Sequence, residues 1–190
     1  MNVDIDISNV CLKTERLILR PFKLEDLEDF YEYCKVDGVG QMAGWLPHEN
    51  IEISKMILES FIEGKRTFAL VFNGKVIGSL GIEKYDEENV PELKDYKARE
   101  IGYVLAKDYW GKGLMAEAVK KVIKYLFTEI DLDVIVCGYY TFNNQSKRVQ
   151  EKCGFKYLKN YRRKTSMSTI EDSVINILLK EDWSKSIWMM

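Results

Sequence analysis

The chain has 190 residues, 46% hydrophobic and 31% charged, and its 28 Lys and Arg against 30 Asp and Glu leave a net charge of −2. This is the balance of a globular domain, not of a disordered chain, and it lacks the positive excess of a general nucleic-acid binder. One histidine, His48, excludes a histidine triad or a multi-histidine metal site built within the chain.

At roughly 100–200 residues per domain, residues 1–190 are expected to form a single domain. Its core should span about residues 12–180, with a short tail over 181–190. Cys11, Cys34, Cys137 and Cys153 show no C-x-x-C spacing and read as reduced thiols of a cytoplasmic protein. Asp4 and Asp6 interrupt any signal-peptide core. No apolar run is long enough to span a bilayer.

Residues 12–21 read as a strand, with Leu17, Ile18 and Leu19 apolar and Pro21 ending the run. Helical spacing of Leu24, Leu27, Phe30, Tyr31 and Cys34 predicts a helix over 24–36, and Ile53, Ile57 and Phe61 predict a second over 50–63. Residues 39–50, with Gly40, Gly44 and Pro47, join them as a loop. Thr67–Phe72 and residues 75–82 flank Asn73-Gly74, a strong signal for a two-residue hairpin. The charged stretch 86–97, holding Pro91, is a loop before a strand over 99–106. A helix over 114–129 follows, with Met115, Val119, Val122, Ile123 and Leu126 on its inner side. Val134–Tyr140 reads as a strand buried on both faces, and residues 144–153 as a short helix ended by Gly154. Residues 155–164 and 173–180 supply two more strands. The fold class is therefore α/β of the α+β kind: a mixed sheet of about seven strands with helices on its faces.

The most informative segment is Tyr109-Trp110-Gly111-Lys112-Gly113-Leu114-Met115-Ala116-Glu117-Ala118, between a strand and a helix. Two glycines leave the backbone bare where N–H groups converge at a helix N-terminus, which attracts phosphate. The Walker pattern fails because Lys112 is followed by Gly113. A dinucleotide fingerprint is matched formally by Gly111, Gly113 and Ala116, but the next strand ends in Tyr139, Tyr140 and Thr141 without the expected acid. The third reading is a coenzyme A pyrophosphate loop.

On that reading the chain resembles the GNAT superfamily of N-acetyltransferases, whose acetyl-CoA loop reads Gln/Arg-x-x-Gly-x-Gly/Ala. Trp110 stands in the Gln/Arg place and Met115 in that of the small residue. Trp-Gly-x-Gly followed by Glu117-Ala118 is similar to the ribosomal-protein-alanine (RimJ/RimL type) branch. So are Thr14-Glu15-Arg16-Leu17-Ile18-Leu19-Arg20-Pro21 and Glu100-Ile101-Gly102-Tyr103. The segment from Asn143 through Ser146, Arg148, Val149, Glu151 and Lys152 to Gly154 and Phe155 resembles its Asn-x-x-Ser-x-Arg/Lys-Val-x-Glu-Lys-x-Gly-Phe run.

The resemblance implies acetyl-CoA as co-substrate, no metal, and an amine acceptor. The acceptor is a protein N-terminus on the branch analogy, with polyamines, amino acids and antibiotics left open. It also implies that main-chain groups of Tyr103, Val104 and Leu105 pair with the pantetheine arm. Trp110, Gly111, Lys112, Gly113, Leu114, Met115 and Ala116 would hold the pyrophosphate. Asn143 would contact the coenzyme, and Ser146 would sit at the sulfur as acid or orienting donor. Lys147, Arg148 and Lys152 could meet phosphates, and Trp45 would line the acceptor side.

Strand alternation puts Glu100, Gly102 and Val104 on one face, which makes Glu100 the leading general base, with Glu83 a weaker alternative. Two other classes stay open: an acyl-CoA-binding module without activity, and a dinucleotide-dependent oxidoreductase. No membrane or nucleic-acid partner is expected. The sequence is compatible with a monomer or a homodimer and does not say what the Trp183, Trp188, Met189 and Met190 tail covers.

Overall fold

The computed structural model describes residues 1–186. Eight strands, β1 (Leu12–Lys13), β2 (Ile18–Pro21), β3 (Thr67–Phe72), β4 (Lys75–Glu83), β5 (Ala98–Leu105), β6 (Val134–Tyr140), β7 (Lys156–Lys164) and β8 (Ile170–Leu179), form one sheet. Their order is β1-β2-β3-β4-β5-β6-β8-β7, and every neighbouring pair is antiparallel except β5 with β6. The α helices among the described residues are α1 (Leu27–Cys34), α2 (Ile51–Gly64), α3 (Leu114–Thr128), α4 (Asn144–Lys152) and α5 (Lys180–Ser184). The mixed, largely antiparallel sheet is the architecture expected.

Period-two alternation sorts the core between the two sheet faces. Phe68 and Leu70 of β3 pack with Val119, Val122 and Leu126 of α3. Ala69 and Val71, the alternate residues, pack with Phe30 and Cys34 of α1 and Leu58 of α2. The faces thus carry α3 with α4 and α1 with α2, respectively.

The first predicted strand is in fact a hairpin. The Leu17 N–H donates to Thr14 Oγ1 at 2.9 Å and the Thr14 N–H to the Leu17 carbonyl at 2.9 Å, so the run folds back between β1 and β2. A threonine side chain bonded to nearby backbone competes with a continuous ladder. That turn raises the strand number from seven to eight.

The Asn73-Gly74 hairpin forms as expected, with both residues at positive φ, 49° and 82°. Part of the expected tail is the helix α5, whose Trp183 ring lies 5.2 Å from that of Phe127. Trp188, Met189 and Met190 lie outside the described residues. Among the described residues no helix is long and apolar enough to cross a membrane.

Candidate active site

The site begins as a defect in the sheet. β5 and β6 pair only from Ala98 with Val134 to Glu100 with Val136. Beyond that point a cleft of about 420 Å³ opens between them, lined by residues 100–105 of β5, 137–140 of β6 and both glycines of the loop before α3. That volume lies in the range of ligand pockets. The Ala106 N–H bonds to the Ile77 carbonyl. By the antiparallel alternation, Val104 and Gly102 therefore turn their main-chain groups to β4, while those of Tyr103 face the unpaired side. Of the three main-chain partners expected here, Tyr103 has a free edge. The Leu105 carbonyl is engaged by Trp110 Nε1 at 2.7 Å.

Gly111 and Gly113 take φ of 75° and 77°, the left-handed region, and Gly113 is the N-cap of α3. A side chain there would be strained, so the glycines allow the turn to end directly on bare helix N–H groups. Leu114, Met115 and Ala116 line the cleft while their side chains are buried in the α3 core. That packing explains how Met115 stands where a small residue was expected. Lys112 sits outside the cleft lining, with its ammonium 5.2 Å from the centre of the Tyr109 ring. Arg148 and Lys152 of α4 do line the cleft.

A brace for this loop escaped the sequence reading. Arg16 Nη1 donates to the Lys112 carbonyl at 3.0 Å, and Arg16 Nη2 pairs with Glu117 Oε2 at 2.7 Å. Glu117 Oε1 also accepts from the Thr14 hydroxyl and the Arg16 N–H. Burial works against the Glu117 carboxylate, but these donors outweigh it and hold its pKa below the ordinary glutamate range. Thr14, Arg16 and Glu117 all stood in the recognised segments; what sequence lacked was their contact.

At the start of α4, Asn143 Oδ1 accepts the Ser146 N–H at 3.0 Å as an N-cap, and Asn143 Nδ2 donates to the Met42 carbonyl at 2.9 Å. Asn143 thus fixes the loop after α1 against the cleft it lines. Ser146 Oγ lies 3.1 Å from the Tyr103 hydroxyl and accepts from Gln150 Nε2 at 3.3 Å. Burial, followed by the neighbouring Cys137, pushes the Tyr103 phenol well above its ordinary pKa, so it remains a hydroxyl. Behind them Gln150 is fully buried, donating to the Gly138 carbonyl at 3.1 Å and accepting from Asn176 Nδ2 at 2.8 Å.

Glu100 lies on the opposite face of the sheet from Tyr103. Arg163 of β7 reaches it across β8 and β6, with Nη2 2.7 Å from Glu100 Oε1. Gly138 of β6 lies beneath the pair, where a Cβ would stand at ordinary contact distance, 3.6 Å from Glu100 Oε1 and 3.8 Å from Arg163 Nη1. Burial opposes the Arg163 charge, yet Glu100 beside it raises the guanidinium pKa above its ordinary value.

Two expected acceptor-side residues lie elsewhere. Trp45 packs on Gly40 and 5.1 Å from the His48 ring, because the left-handed Gly44 turns the loop back on itself. Val39, Met42 and Ala43 line the cleft instead. Glu83 is half-buried, paired with Arg66 at 2.8 Å. His48 is a buried core residue bonded to Ser54 at 2.7 Å.

Comparison with known proteins agrees with this geometry. The family model described as an acetyltransferase (GNAT) domain matches residues 16–156. The uncharacterized N-acetyltransferase p20 of Bacillus licheniformis is 29% identical over 183 residues, covering 91% of this chain and 98% of that protein. A GNAT-family acetyltransferase structure from Bacillus anthracis superposes with a TM-score of 0.77 at 26% identity, covering 90% of this chain and 99% of that one. The ribosomal-protein-S5-alanine acetyltransferase of Vibrio fischeri shares the fold, with a TM-score of 0.71 at 23% identity over 92% of this chain and 99% of that one. A split sheet, a bare-amide loop before α3, and a family match over most of the chain lead to one conclusion: this chain belongs to the GNAT family of acetyltransferases.

Proposed function

We propose that the cleft between β5 and β6 transfers the acetyl group of acetyl-CoA to a primary amine by direct attack. The observation that carries this reading is the set of groups that line one continuous opening. They are the bare amides at Gly111 and Gly113, the free main-chain edge of Tyr103, the Ser146 hydroxyl and the Glu100 carboxylate.

The residues fit a coenzyme. The N–H groups at the start of α3 suit a pyrophosphate, Arg148 and Lys152 can meet further phosphate charge, and the Tyr103 backbone can pair with an amide-bearing arm. When bound, acetyl-CoA supplies an activated acyl group with a thiolate leaving group.

Glu100 takes the proton that the acceptor ammonium must lose before its nitrogen can attack, directly or through a water. Ser146 orients the leaving sulfur and donates a hydrogen bond to it, with Tyr103 as its hydroxyl neighbour. The C–N bond forms as the C–S bond breaks; the ammonium proton passes through Glu100 to solvent, and the second proton that the nitrogen loses as the amide forms protonates the departing thiolate. The four unpaired cysteines fit a reducing compartment such as the cytoplasm.

The branch resemblance supports an α-amine as the acceptor, the group that a protein N-terminus and a free amino acid share. The test is a thiol-release assay with acetyl-CoA against a panel of amines that includes N-terminal peptides. Release of coenzyme A that depends on the amine is the expected result. Binding of NAD(H) in place of coenzyme A overturns the reading.

A further inference from the structure

The geometry points to a zwitterionic acceptor, a free α-amino acid whose ammonium meets Glu100 and whose carboxylate meets Arg163. This rests on the reading of the cleft as an acetyl-transfer site and narrows its substrate class.

Glu100 and Arg163 both line the cleft, and their side chains are 14% and 35% exposed. A guanidinium carries five N–H donors and a carboxylate two acceptor oxygens. Among the described residues the Arg163 side chain makes one hydrogen bond, from Nη2 to Glu100 Oε1, and Glu100 Oε2 makes none. The pair therefore presents a free carboxylate oxygen beside free guanidinium donors. The two side chains meet directly above Gly138 of β6.

A compensated pair of this kind selects by charge pattern. A polyamine brings cation without anion, and the fixed positive charge of Arg163 opposes it. A peptide N-terminus satisfies Glu100 but leaves the guanidinium donors desolvated without an acceptor, which is a costly state. A free amino acid supplies both partners a few ångströms apart, and a planar guanidinium matches a carboxylate in two-point geometry.

The loop that lines the same cleft through Met42 and Ala43 favours a small molecule too. The loop over residues 40–44 is tied to α4 by Asn143 on the Met42 carbonyl. On the other side Ser166, in the β7–β8 turn, donates to the Gly44 carbonyl from its N–H at 3.0 Å and its hydroxyl at 2.8 Å. A free amino acid can enter beneath this tie without a following polypeptide having to pass it.

The test uses the full chain with acetyl-CoA and the common α-amino acids, their carboxamides, N-terminal peptides and polyamines. Thiol release reports turnover, and a separate titration reports coenzyme A binding. At least one free amino acid should be acetylated with kcat/KM about 10- to 100-fold above its carboxamide, the effect of one charge-assisted contact. Arg163→Gln should erase that acid-to-amide ratio while coenzyme A binding is retained, and Arg163→Lys should restore part of it. Retained coenzyme binding also shows that the variants fold. The proposal is overturned if peptides or polyamines outperform every free amino acid, if no free amino acid is turned over or stabilises the protein, or if Arg163→Gln keeps the ratio. Absence of coenzyme A binding by the unaltered protein overturns the acetyl-transfer reading as well, which separates the two failures.

Discussion

Gln150 Nε2 donates to Ser146 Oγ across 3.3 Å, from a side chain that is wholly buried. The amide orientation is set by its other contacts, since Oε1 accepts from Asn176 and Nε2 also reaches the Gly138 carbonyl. The serine oxygen therefore receives a hydrogen from behind, and its own hydrogen is left to point towards Tyr103 or the cleft. A buried amide of this kind is tolerated because its donor and acceptor atoms are engaged.

Gln150→Leu keeps the volume and removes the donor. It leaves Asn176 and the Gly138 carbonyl short of a partner, which should cost about 1–3 kcal/mol of stability. A larger share of the effect should fall on kcat than on the KM for acetyl-CoA, because the loop amides are untouched. Denaturant unfolding and steady-state kinetics on the same variant check both parts; unchanged kcat would remove Gln150 from the orientation of Ser146.

Glu100→Gln preserves shape and removes the base. Turnover with any amine should fall about 10²–10⁴-fold, the usual contribution of general acid–base catalysis, while coenzyme A affinity persists. A variant that matched the unaltered enzyme across pH would exclude Glu100 as base.

The brace between Glu117 and Arg16 should give stability a distinct acid dependence. The folded-state pKa of Glu117 is lowered. Its contribution is therefore complete above the unfolded value, about 4.3 for a glutamate, and is lost as pH falls through the lower folded value. Melting temperature measured against pH should flatten below about pH 4.3 in Glu117→Gln. At neutral pH the same variant should bind coenzyme A more weakly, because Arg16 is no longer held at the Lys112 carbonyl.

Thiol chemistry checks the burial of the core. Cys11 is exposed, whereas Cys34, Cys137 and Cys153 are buried. Burial pushes the Cys153 thiol up to about 12 and holds Cys34 and Cys137 above their ordinary range as well. A thiolate reagent should modify one cysteine rapidly in the native protein and the other three only on unfolding. Rapid modification of two or more under native conditions would contradict the packing.

What the sequence determined by itself was whatever depends on a few consecutive residues. The positive φ at Gly111, Gly113 and Gly74, the amphipathic stripe of α3 and the N-cap at Asn143 follow from local sterics and periodicity. The recognised segments likewise pointed to Glu100 and Ser146, which both line the cleft. Tertiary structure decided what crosses the sheet. Arg163 meets Glu100 over a separation of 63 residues, and Arg16 meets Glu117 over 101. The pairing of β7, β8 and β6 sets the first of these contacts, and no local pattern encodes it. The same holds for Trp45, whose ring goes where Gly40 leaves room. A conformational preference acts within a turn or two, whereas a charge pair or packed ring needs strand register before its partner exists.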